Sequence, residues 1–186
     1  EFRRVLFRST HIEILPHDRV AYREREDGSP AFGAALPTDR LVHRDRWWID
    51  TLHSQTLAPG WSFGWNAHAA SDNEYPSDFS RTVAASAERQ LLRELRTDYS
   101  GQYWSVNARV QSYQVLQDPA ALDPTTPNAN ALRVPRPYDR LPQINFHAGR
   151  YDVLGGFDWA VDAELVRFSH PDNSFVQGNR ANLVSQ

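Results

Sequence analysis

From Trp61 to Ala70 the chain alternates with a period of two. Trp61, Phe63, Trp65, Ala67 and Ala69 stand against Ser62, Gly64, Asn66, His68 and Ala70. That period predicts a strand with its aromatics on one face and its small or polar groups on the other. The pattern returns at Trp104, Val106, Ala108 and Val110 against Ser105, Asn107, Arg109 and Gln111. It returns at Ile144, Phe146 and Ala148 against Gln143, Asn145 and His147. The last clean copy sets Phe157, Trp159, Val161, Ala163 and Leu165 against Asp158, Ala160, Asp162, Glu164 and Val166. Two rougher strands are expected at 44–57 and at 11–23. The second is interrupted at Leu15-Pro16, where a proline either demotes the strand or marks a bulge. The run at 84–97 has the Ala, Leu, Glu and Arg content of a helix. A strand is nevertheless needed between 71 and 102 to keep the hairpins in sequence, so one is expected at about 89–99.

The connections sharpen this picture. Tight turns at Ala58-Pro59-Gly60, Ser100-Gly101 and Asp152–Gly156 alternate with long polar stretches at 24–43, 71–87 and 117–140. Five of the 12 prolines (119, 124, 127, 135 and 137) fall in the last stretch, which argues against regular structure there. Strict alternation of short and long connections is the habit of an outer-membrane barrel.

Composition narrows the class. A length of 186 residues suggests one domain or a piece of a larger one. The absence of cysteine excludes a disulfide framework or thiolate metal site within this stretch. A net charge of −3 argues against a general nucleic-acid binder. No apolar run approaches the ~18 residues of a helical span, which leaves a β-barrel open. There is no methionine, and all 20 basic residues are arginine, so the chain reads as a fragment from a GC-biased source. Residues 1–9 read as a translated sequencing adapter and are set apart as a scar, leaving 10–186 as the fragment proper.

Alternation alone does not separate a barrel from a soluble sandwich, whose apolar face packs on a second sheet. Three details favour the barrel. The strands reach about ten residues, beyond the ~5–6 usual in soluble sheets. Aromatics gather near strand ends, at Trp47, Trp61, Tyr99, Tyr103, Trp104, Tyr151 and Trp159, as an interfacial girdle would. Asp158, Asp162 and Glu164 share the polar face, which suits a wet interior.

Four runs stand out in order: Glu13–Arg19, with its Leu15-Pro16 and Asp18; Ser71–Ser80, with Asp72, Tyr75, Asp78, Phe79 and Ser80; Leu141-Pro142-Gln143-Ile144; and Arg167-Phe168-Ser169-His170-Pro171. Together they resemble the LptD family of outer-membrane lipopolysaccharide-assembly proteins. Each is weak alone, but their order across 11–171 is specific. The resemblance implies an all-β, antiparallel up-and-down meander of about seven strands, cut from a barrel of some 26 strands in the family. It implies lipopolysaccharide transport and insertion into the outer leaflet, an LptE-type lipoprotein plug, and periplasmic bridge proteins of the LptA and LptC type docking on an upstream domain. The family's disulfide cysteines would lie outside these residues.

On this reading Asn66, His68, Asn107, Arg109, Gln111, Gln143, Asn145, His147, Asp158, Asp162 and Glu164 face the lumen. Trp61, Phe63, Trp65, Trp104, Val106, Val110, Ile144, Phe146, Phe157, Trp159, Val161 and Leu165 face lipid. Arg109 is a candidate partner for an anionic substituent. No catalytic constellation is expected. The three acids read as lumen lining rather than a glycosidase pair, and His68 and His147 have no second metal ligand at a recognisable spacing. Ser169, His170 and Asp172 are contiguous and do not supply triad geometry. No enzyme, metal or cofactor is called for. The alternatives are another outer-membrane barrel, a porin or receptor, and a soluble carbohydrate-binding sandwich.

Overall fold

A computed structural model describes residues 6–20, 42–80, 86–122, 126–153, 155–172 and 174–185. The end of the first expected strand (21–23), the connection at 24–41, the start of the helix-like run (84 and 85), Pro124 and Leu154 lie outside the described residues. Among the described residues, eight strands form one open antiparallel sheet in chain order. They are β1 (Leu6–Val20), β2 (Val42–Ala58), β3 (Trp61–Ala70), β4 (Gln90–Ser100), β5 (Trp104–Val115), β6 (Asp139–Val153), β7 (Phe157–Ser169) and β8 (Gly178–Ser185). This is the all-β meander of a partial barrel wall, with one strand more than the pattern suggests. The extra strand, β8, is eight residues long, exposed throughout and, among the described residues, paired only with β7. Its alternation, Arg180 and Asn182 against Ala181 and Leu183, is too short to stand out. At the other edge β1 begins at Leu6, so residues 6–9 pair with β2.

From Gln90 onward the helix-like run is strand, as the hairpin order requires. Gln90–Ser100 pairs with β3 on one side and with β5 on the other, from Gln90↔Val115 to Ser100↔Ser105. Two flanking ladders satisfy its backbone groups and outweigh local helix preference. Pro16 does not end β1 but sits with His17 in a bulge, the register stepping between Leu15 and Asp18. In β6 the cis Leu141–Pro142 peptide stands at a second bulge.

Tight turns join β2–β3, β4–β5 and β6–β7 at one end of the sheet. Gly60 has φ +74°, and a Cβ there would run into the Ser100 carbonyl. The Ser100 N–H also donates to the Gly60 carbonyl at 2.7 Å, so two neighbouring turns interlock. At the opposite end, the described parts of the β3–β4 and β5–β6 connections carry single helical turns: α1 (Tyr75–Phe79), α2 (Pro119–Leu122) and α3 (Ala129–Leu132). The last two correct the expectation that the proline-rich stretch holds no regular structure. Pro119 opens α2, a position where its missing N–H leaves no bond unmade. A small core of Ala70, Tyr75, Leu91 and Leu116 sits at this end, flanked by Leu15, Trp48 and Phe79.

Candidate functional site

Residues directly opposite across a ladder share a face, so the register turns separate alternations into continuous surfaces. One row across the sheet runs Gly64–Arg96–Arg109–Gln143. The next row, nearer the tight turns, runs Ser62–Asp98–Asn107–Asn145–Glu164–Asn182. A third holds Ser100, Ser105, His147 and Asp162. The eleven polar residues singled out from sequence all fall on this one face: Asn66 and His68 on β3, Asn107, Arg109 and Gln111 on β5, Gln143, Asn145 and His147 on β6, and Asp158, Asp162 and Glu164 on β7. The face also holds Glu94, Arg96 and Asp98 from β4 and Arg180 and Asn182 from β8. The β4 residues were missed because helix-like composition blurred the two faces of a strand that was itself expected, and the β8 residues because that strand is short. A hollow of about 540 Å³ lies here, lined by Asp98, Asn107, Asn145, His147, Asp162 and Glu164 among others.

Hydrogen bonds knit the face together. Arg109 Nε donates to Gln143 Oε1 at 2.9 Å, and Arg140 Nη1 donates to the same oxygen at 3.2 Å. Gln143, only 6% exposed, passes the chain on through Nε2 to Glu164 Oε1 at 2.8 Å. Arg180 Nη2 completes it at Glu164 Oε2, 2.6 Å away. Asn107 donates to Asp98 and accepts from Asn145. His147 Nδ1 lies 2.7 Å from Asp162 Oδ1, a pair more than half exposed. His68 pairs with Asn66 at 2.9 Å. These are donors and acceptors that a passing hydroxyl-rich ligand can exchange with.

The opposite face gathers Trp61, Phe63, Trp65, Trp104, Val106, Val110, Ile144, Phe146, Phe157, Trp159, Val161 and Leu165. Near the tight turns Tyr99 packs on Trp104 at 4.4 Å and Trp104 on Phe146 at 6.4 Å. Much of this face is open: Phe157 is 66% exposed and Leu183 71%. It is not uniformly apolar, since His53 lies under the Trp65 ring at 4.1 Å.

A different construction stands at the long-connection end. Arg46 of β2, 4% exposed, grips Asp72 with two parallel bonds of 2.8 Å, from Nε to Oδ2 and from Nη2 to Oδ1. Its Nη1 donates to Asp78 at 2.9 Å and to Asp18 at 3.3 Å. The guanidinium also lies over the Phe79 and Tyr75 rings at 4.8 and 5.4 Å. Tyr75 reaches back to Glu13 of β1 at 3.0 Å. Burial raises the Asp72 carboxyl, but the Arg46 and Ser71 bonds outweigh it and hold the group below its usual range. Glu74 goes the other way, raised by burial and by the charges of Asp78 and Asp72. Burial, with Glu13 second, pushes the Tyr75 hydroxyl up to about 12. Arg46 escaped notice because a lone arginine in a strand looks like any solvated charge.

Comparison with known proteins decides the family. The family model described as LptD, LPS transport system D, matches residues 44–185. The chain belongs to the LptD family. It is 38% identical over 149 residues to the LPS-assembly protein LptD of Ralstonia nicotianae, covering 80% of this chain and 17% of that protein. With LptD of Cupriavidus pinatubonensis it shares 40% over 136 residues, 73% of this chain and 15% of the relative. With that of Bordetella parapertussis it shares 38% over 142 residues, 76% and 16%. The chain therefore spans about a sixth of the length of these relatives.

The LptD-like runs fall at structural joints. Glu13–Arg19 and Ser71–Ser80 meet at Arg46. Leu141-Pro142-Gln143 brings Gln143 into the polar network. The run from Arg167 to Pro171 ends β7: Phe168 and His170 pack on Tyr138 at 6.2 and 5.4 Å, and His170 packs on Phe175 at 4.2 Å. Ser169 pairs with Asp139 at the start of β6.

Proposed function

We propose that this chain is part of the wall of an outer-membrane barrel that moves lipopolysaccharide to the outer leaflet. The apolar face meets lipid and the polar face lines the lumen. The observation that carries this reading is the register, which brings the polar alternations of β3, β5, β6 and β7 onto one face, in a chain of the LptD family. A hydrated wall of Asn, Gln, Arg and acids binds sugar and phosphate weakly and reversibly, and such passage needs no catalyst. An LptE-type plug occupies the lumen, and LptA- and LptC-type bridge proteins deliver the cargo through a domain outside this segment.

Because the segment lacks cysteine, single cysteines report its faces cleanly. In the full-length protein in outer membranes, with any cysteines outside this segment blocked or replaced, cysteines at Asn107 and Asn145 should react with a charged, water-soluble maleimide. Cysteines at Val106 and Phe146 should resist it and react with a lipid-phase reagent. The reverse pattern would overturn the assignment of faces. Uniform reaction with the charged maleimide would favour a soluble sheet.

A further inference from the structure

We infer that Arg96 and Arg109 form a docking station for an anionic group, a phosphate or a carboxylate, carried by the sugar that crosses the polar face. The inference rests on the reading of that face as a lumen wall. The two arginines are directly opposed on β4 and β5, with side chains on the same face. Like charges so placed repel and destabilise a sheet unless something bridges them. Among the described residues, Arg96 is exposed and makes no hydrogen bond or ion pair. Glu94 and Asp98 flank it on its own strand, yet neither pairs with it, and Asp98 instead accepts from Asn107. Arg109 commits only Nε, to a neutral acceptor on Gln143, so its two Nη groups keep their donors. By contrast, Arg46 and Arg180 are already matched to carboxylates.

The surroundings suit an incoming anion. Gly64 faces Arg96 on β3 and adds no side chain to the row. A Cβ at Gly64 would press on the His53 backbone carbonyl, so the position stays small. Gln143 holds Arg109 by its Nε edge and is itself fixed by Arg140 and Glu164, which pre-orients the guanidinium. Two adjacent planar forks match the several oxygens of a phosphate or a carboxylate. The binding is shallow and open, as a station on a path requires.

The test uses the full-length protein with photo-crosslinking residues at Asn107 or Gln111, beside Arg109, and lipopolysaccharide as the probe. Unmodified protein should capture it. The R96Q/R109Q variant should lose about tenfold of that capture, the R96K/R109K variant much less. With dephosphorylated lipopolysaccharide the gap between parent and R96Q/R109Q should close if phosphate is the group; it should close with carboxyl-reduced lipopolysaccharide if a sugar acid is. Equal capture of the untreated probe by parent and double variant overturns the station while leaving the lumen reading intact. No capture by the parent at either position overturns both. If the double variant does not assemble, R96Q alone, at an exposed side chain, should still lower capture several-fold.

Discussion

Arg46 and the Arg96–Arg109 pair lie on the same face of the same sheet, yet they are built for opposite purposes. Arg46 is buried, gripped by Asp72 and Asp78, approached by Asp18 and covered by two aromatic rings. Its charge is spent on holding the β3–β4 connection against β1 and β2. Arg96 and Arg109 are opposed like charges with free donors. A guanidinium acts as a rivet where carboxylates enclose it and as a receptor where they do not. Burial and partners decide which role it takes.

The contrast breaks first at Arg46. Arg46→Gln strands three carboxylates around an uncharged group, and removing one partner of a buried pair costs about 3–5 kcal/mol. In the full-length protein the outcome to measure is a large drop in the denaturant midpoint, with new proteolysis between residues 71 and 89. Arg46→Lys should recover only part of the loss, because an ammonium does not make the parallel bonds to Asp72. Stability equal to the parent in both variants would show that the clamp is ornamental.

A turn of the chain comes next in size. Gly60→Val puts a branched side chain at positive φ against the Ser100 carbonyl, a strain of about 1–3 kcal/mol. The same denaturation measurement should place it below Arg46→Gln. The carboxylates then sharpen the clamp itself. Asp72→Asn should cost more than Asp78→Asn, since Asp72 is 12% exposed and accepts two bonds from Arg46, whereas Asp78 is 44% exposed and accepts one. The pH dependence has a definite sign. The folded Asp72 carboxyl titrates below its unfolded value, so its stabilisation is complete above the ordinary carboxylate range near ~3.9 and is lost as pH falls through the lower, folded value. Proteolysis of the 71–89 connection should therefore rise only in strong acid, and Asp72→Asn should flatten that rise.

The smallest effect belongs to the other arginines. Arg96→Gln should change stability by no more than about 0.5 kcal/mol, and in the stabilising direction, because it removes a facing like charge. A loss comparable to that of Arg46→Gln would mean that Arg96 is structural, and the two regions would no longer differ in kind.

Much of this architecture is legible from residue order. Side-chain period in a strand is dictated by backbone geometry, so Trp61–Ala70, Trp104–Gln111 and Phe157–Val166 reveal both their extended form and their two faces without any partner. Pro16 announces an interruption and Gly60 its turn for equally local reasons. The helix-like run is different. Its residues prefer a helix when isolated, and its part from Gln90 onward is strand because β3 and β5 supply ladders on both sides. The grouping of sites is also beyond local pattern. Asp18, Arg46, Asp72 and Asp78 come from three segments and carry no common spacing, and Arg96 meets Arg109 only through register. A period of two settles which way a side chain points. Which residue stands across from it, and therefore whether a charge is neutralised or left to bind, is settled only when strands pair.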